Sequence, residues 1–93
     1  MLTIKETAKL AMKKPLHCYT TILKGFKFMI HFDPEWKCLN ATMFFDPQWG
    51  HTNGLCAKTP EELQKAVNEK VDEEMKLWKT GGKYPEDYPV NTP

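Results

Sequence analysis

Read for the spacing of apolar residues, the chain opens and closes on helices and alternates in the middle. Ile4, Ala8, Ala11 and Met12 recur at helical intervals behind a capping box, Thr3-Ile4-Lys5-Glu6, and Pro15 stops that helix at Lys14. A longer helix begins at Thr59, with Pro60 at its first position, Glu62 completing a second capping box, and Leu63, Ala66, Val67, Val71, Met75 and Trp78 as its apolar stripe. Gly81 suits its C-cap. Between the helices the period drops to two. Phe26, Phe28, Ile30 and Phe32 share one face of a strand, Leu39, Ala41, Met43 and Phe45 share one face of another, and Leu16 to Ile22 and Leu55 to Ala57 supply a third and a short fourth. The expectation is a small single α+β domain of order α-β-β-β(-β)-α, an antiparallel meander with both helices packed on one face. It spans residues 1–82, followed by an extended Pro- and Tyr-containing tail over 83–93.

The second strand and the third are separated by one copy of a doubled phrase. Phe32-Asp33-Pro34-Glu35-Trp36 and Phe45-Asp46-Pro47-Gln48-Trp49 each join an Asp-Pro turn starter to a tryptophan, so they bound the strand between them. A four-residue loop from Asp33 to Trp36 sets Phe32 opposite Lys37, Ile30 opposite Leu39 and Phe28 opposite Ala41. A three-residue loop Leu23-Lys24-Gly25 closes the first hairpin with Ile22 opposite Phe26. The face left open by the helices then carries the rows His17–His31–Cys38, Tyr19–Met29–Asn40 and Thr21–Lys27–Thr42, with Phe44 at one end. A two-residue first loop would put Cys18 in the place of His17.

Composition narrows the function classes. The 93 residues carry 13 Lys+Arg against 12 Asp+Glu, a net charge of +1, which removes the strongest arguments for a nucleic-acid binder. Every one of the 13 basic residues is lysine, so bidentate clamping of phosphate or carboxylate is absent. Three cysteines without a repeated spacing fit reduced thiols in a cytoplasmic protein, and no secretory or long apolar segment suggests a membrane. No positioned acid, base and nucleophile, and no Gly-rich phosphate loop, is legible, so the expectation is not an enzyme and no cofactor.

Three surfaces remain as candidates. The open face, with Tyr19, Met29 and Phe44, and the corner tryptophans Trp36 and Trp49 have the amphipathic make-up of a protein-binding surface or a homodimer contact. The reading that leads is a non-catalytic regulator or inhibitor of another protein, of the accessory kind that phages and mobile elements carry. The lysine stripe Lys5, Lys9 and Lys13 offers nucleic acid as an alternative. The helix–strands–helix order resembles that of double-stranded-RNA-binding domains, whose second helix begins on basic residues; here it begins Thr59-Pro60-Glu61-Glu62, which repels phosphate. Gly54 to Leu63 is similar to the strand-to-helix corner of HicB-type antitoxin domains, over about a tenth of the chain and through its capping-box residues. Third, His17, His31 and Cys38 form a row of metal-ligating side chains, with Cys56 or His51 completing the shell.

Overall fold

A computed structural model describes residues 2–48 and 52–90. Its elements follow the expected order: α1 (Ile4–Lys13), β1 (Cys18–Leu23), β2 (Phe26–Asp33), β3 (Cys38–Phe44), β4 (Thr52–Ala57) and α2 (Pro60–Trp78). The strands form one four-stranded antiparallel sheet in the order β1-β2-β3-β4, with both helices packed on it. Phe26, Phe28, Ile30, Leu39 and Met43 from the sheet meet Ile4, Ala8, Leu63, Val67 and Val71 from the helices in a core closed to solvent. The first helix start forms with the full capping box that the sequence predicts; at the second Thr59 caps the helix, but the Glu62 carboxylate accepts from the Lys58 amide at 3.3 Å rather than from that of Thr59. Thr3 Oγ1 accepts from the Glu6 amide at 3.1 Å while Glu6 returns a bond to the Thr3 amide at 3.0 Å; at α2, Thr59 Oγ1 accepts from the Glu62 amide at 3.1 Å.

The first hairpin departs from the favoured expectation. Its loop is the two residues Lys24 and Gly25, both left-handed at φ +51° and +82°, and Leu23 pairs with Phe26. Two successive positive φ values make a turn whose twist matches that of the flanking strands. Shortening the loop by one residue inverts the faces of β1. Tyr19 and Thr21 therefore enter the core side, buried at 6% and 0% exposure, and Cys18, Thr20 and Ile22 take the open face.

The second hairpin shifts differently. Asp33 stays in β2 and pairs with Cys38, leaving Pro34 to Lys37 as the loop, so Ile30 faces Ala41 and Phe28 faces Met43. The register has moved by two residues, and an even shift preserves the faces: Leu39, Ala41 and Met43 are buried as expected. The Asp33 carboxylate explains the choice, since its Oδ1 accepts from the amides of Glu35 at 2.9 Å and Trp36 at 3.3 Å and so fixes the turn from the strand end.

At the end of α2 the left-handed cap is Lys79, φ +58°, rather than Gly81. Gly81 and Gly82 serve a tertiary contact instead, described below. Glu74 is an unexpected buried acid at 4% exposure; it accepts from Trp78 Nε1 at 2.8 Å and Asn53 Nδ2 at 3.3 Å and lies 3.5 Å from Lys70 Nζ, which compensates its burial.

Candidate functional site

The open face is built by the register. Across the strands run Cys18–His31–Asn40–Cys56 and Thr20–Met29–Thr42–Gly54, with Ile22–Lys27–Phe44 at the turn end. Met29 and Phe44 stand where the sequence places them, half-buried on this face, and Tyr19 does not, because the two-residue turn sends it to the core.

One end of the face is covered by the chain itself. After Gly82 the tail crosses the first turn: the Gly82 amide donates to Lys24 O at 3.0 Å, Tyr84 to Gly25 O at 2.9 Å, and Lys83 to Phe45 O at 2.8 Å. The contact is close enough that a Cβ on Gly82 would fall 2.2 Å from Gly25 O, so this crossing admits only glycine. Tyr84 is buried, and Tyr88 meets it edge-on at 4.9 Å between ring centroids. Lys27 Nζ lies between three rings, 4.6 Å from the centroid of Phe44, 5.2 Å from Tyr84 and 5.3 Å from Tyr88. Such cation–π contacts contribute roughly 0.5–1 kcal/mol each when exposed. Burial, with Tyr88 and Asp46 adding to it, holds the Tyr84 hydroxyl above its ordinary pKa. The second Phe-Asp-Pro phrase anchors the same strap, since buried Asp46 caps the Gln48 amide at 2.8 Å and lies 3.8 Å from Lys83 Nζ.

The other end carries two exposed large apolar side chains among polar ones. Trp36 is 72% exposed on the β2–β3 turn, and Leu16 is 88% exposed just before β1 in a left-handed conformation, φ +76°, that a leucine adopts only at a cost. Antiparallel pairing of Cys18 with His31 and of Asp33 with Cys38 puts these two residues at the same end of the sheet. Trp49 and His51 lie outside the described residues.

The expected metal row does not come together. His17 precedes β1 and stacks beside Tyr19 at 6.4 Å, and Cys18 takes the position opposite His31. Cys38 is joined to Cys56 in a disulfide between β3 and β4, Cα–Cα 6.5 Å, because the register sets them diagonally on one face. That pairing brings together two of the three cysteines that the sequence reads as separate reduced thiols. Among the described residues, no group of three or more His, Cys, Asp or Glu is placed to hold a metal ion. Desolvation holds the Cys18 thiol above its ordinary pKa, so its thiolate is disfavoured.

On α1, Lys9 and Lys13 are exposed, while Lys5 is drawn to Glu61 on α2 at 3.6 Å. A backbone hydrogen bond at the helix start, joined by the charges of Lys5 and Lys9, holds the Glu61 carboxyl below the usual carboxylate range, so the stripe is partly neutralised from within. No described helix is long and apolar enough to cross a membrane. Compared with known protein families, curated sequences and solved structures, the chain matches none.

What the sequence did not disclose is the strap. Lys27 is far in the chain from Tyr84 and Tyr88, and the signal that joins them is the approach of Gly25 to Gly82, which reads as ordinary turn and cap chemistry until the crossing is seen.

Proposed function

We propose that the protein is a non-catalytic binding protein, a small regulator or inhibitor that works by occupying the surface of a partner protein. The observation that carries this is the exposure of Trp36, held out on a turn whose geometry Asp33 fixes, with Leu16 exposed at the same end of the sheet. A large aromatic left in solvent is the residue type that anchors binding energy, and a preordered turn lowers the entropy lost on binding. The turn that carries the anchor lies at the end of the sheet away from the strap, and on the uncovered part of the open face Met29, Thr42 and Asn40 supply adaptable and weakly polar groups. A cytoplasmic setting belongs to the same proposal.

The nucleic-acid alternative through Lys5, Lys9 and Lys13 has less behind it, since Lys5 is engaged by Glu61. The test is a quantitative affinity capture from the native cell with wild type, Trp36→Ala and Lys9→Glu/Lys13→Glu. A protein retained by wild type and by the lysine variant but at least ~10-fold depleted on Trp36→Ala supports the reading, because a hot-spot tryptophan contributes about 2 kcal/mol or more. Capture that ignores Trp36 and collapses with the lysines, or with nuclease, refutes it.

A further inference from the structure

An open sheet has two edge strands, and here the two are treated differently. Against β1 the carbonyl of Leu2 accepts from Thr21 Oγ1 on the core face, and at the turn end Glu86 of the strap lines the hollow against Ile22 to Gly25. Beside β4 nothing comparable is seen among the described residues; its ladder partner is β3 alone. Leu23 and Phe26, which close the two-residue turn, exchange backbone hydrogen bonds, and alternation across the sheet then gives Ala57, Leu55 and Asn53 the bonds to β3. The amides and carbonyls of Gly54 and Cys56 therefore point away from the sheet.

Edge strands are normally kept from pairing by lysines, proline, bulges or a covering loop. β4, Thr52-Asn53-Gly54-Leu55-Cys56-Ala57, contains no charge and no proline. Its glycine also lacks an internal reason. A Cβ on Gly25, Gly81 or Gly82 would collide with backbone at 2.1–2.4 Å, whereas one on Gly54 would meet nothing within 4 Å. Glycines in strands are found at bulges, at bends and where a ligand or another backbone comes close, and the pairing proposed below takes the last of these.

We propose that this backbone belongs to a second copy of the chain, paired antiparallel through β4 about a two-fold axis at Gly54, so that two four-stranded sheets become one continuous sheet. With Gly54 opposite the partner's Gly54, and Cys56 opposite the partner's Thr52, every outward-pointing group of β4 meets a complement. No like charges face each other, because the strand has none. Packing of two open faces on one another is disfavoured by Lys27 and the strap that cover one end of that face. Edge pairing leaves both faces and both Trp36 side chains uncovered, so it is independent of the partner-binding reading and can fail without it.

The test is the mass of the native protein in solution across concentration, with Gly54→Lys and Met29→Lys. Wild type should move from the 10.8 kDa chain mass to twice that value as concentration rises, and amide exchange at Gly54 and Cys56 should slow over the same range. Gly54→Lys leaves the fold intact, since its side chain enters open space, and should weaken the dimer about tenfold or more by opposing two lysines at the axis. Met29→Lys, in the middle of the open face, should leave the dimer unchanged. A wild type that stays at 10.8 kDa at every concentration, a dimer that survives Gly54→Lys, or one lost on Met29→Lys overturns the proposal.

Discussion

Replacing Gly82 by alanine should undo the strap and cost the fold measurably, whereas the same replacement at Gly54 should not. The added Cβ on Gly82 would sit 2.2 Å from Gly25 O, 2.5 Å from Gly25 C and 2.8 Å from the Phe26 amide nitrogen, all of them backbone atoms in a tight turn that has nowhere to retreat. Relief requires the tail to lift, and with it go the three backbone hydrogen bonds from Gly82, Lys83 and Tyr84. At about 1 kcal/mol each these represent about 3 kcal/mol, offset by about 1 kcal/mol or more of regained chain entropy. A net loss of about 2 kcal/mol in a chain of this length lowers Tm by about 8–16 °C. Gly54→Ala supplies the internal control at dilutions where the chain is monomeric: its Cβ meets nothing within 4 Å of the same chain, and restricting the unfolded chain should stabilise by about 0.4–1 kcal/mol. Thermal melts by circular dichroism, with limited trypsinolysis at exposed Lys83, read both quantities. If the two variants melt together, or if cleavage after Lys83 is no faster in Gly82→Ala than in wild type, the crossing does not hold the tail and the reasoning fails.

Two further outcomes follow from the titrating groups and the thiols. Burial raises the Tyr84 pKa above the ordinary value of 10.0, so its contribution is fully present below pH 10 and is lost as pH climbs through the raised folded value. Wild type should therefore lose stability in that alkaline window and show delayed tyrosinate absorbance, and Tyr84→Phe should lack the delay; an identical alkaline titration in both proteins contradicts a buried hydroxyl. In the cytoplasm proposed for it, the Cys38–Cys56 bond should be reducible, so rapid alkylation in intact cells should label both thiols; a bond that persists there moves the protein to an oxidising compartment.

Much of the architecture is legible in local patterns. The helix starts at Thr3 and Thr59, the alternation of Phe26, Phe28 and Ile30, and the burial of Leu39, Ala41 and Met43 all rest on short-range chemistry that tertiary packing did not override. The site was less legible because it depends on parity. One residue more or less in the first turn decides whether Tyr19 faces solvent or core, and Lys24-Gly25 supports either loop until the strand twist chooses. The second hairpin shows the converse: its register moved by two, and Met29 and Phe44 kept their face.

By itself the sequence determined the element order, the core stripes and the near-neutral surface without arginine, because each follows from periodicity, capping and composition within a few residues. Only the tertiary structure decided which groups share a place. It joined Cys38 to Cys56, gathered Lys27 with Phe44, Tyr84 and Tyr88 under a strap that crosses Gly25, and put Gly54 on an edge strand. Those meetings span many residues of chain, and they are set by sheet register and close backbone approach, which no local pattern encodes.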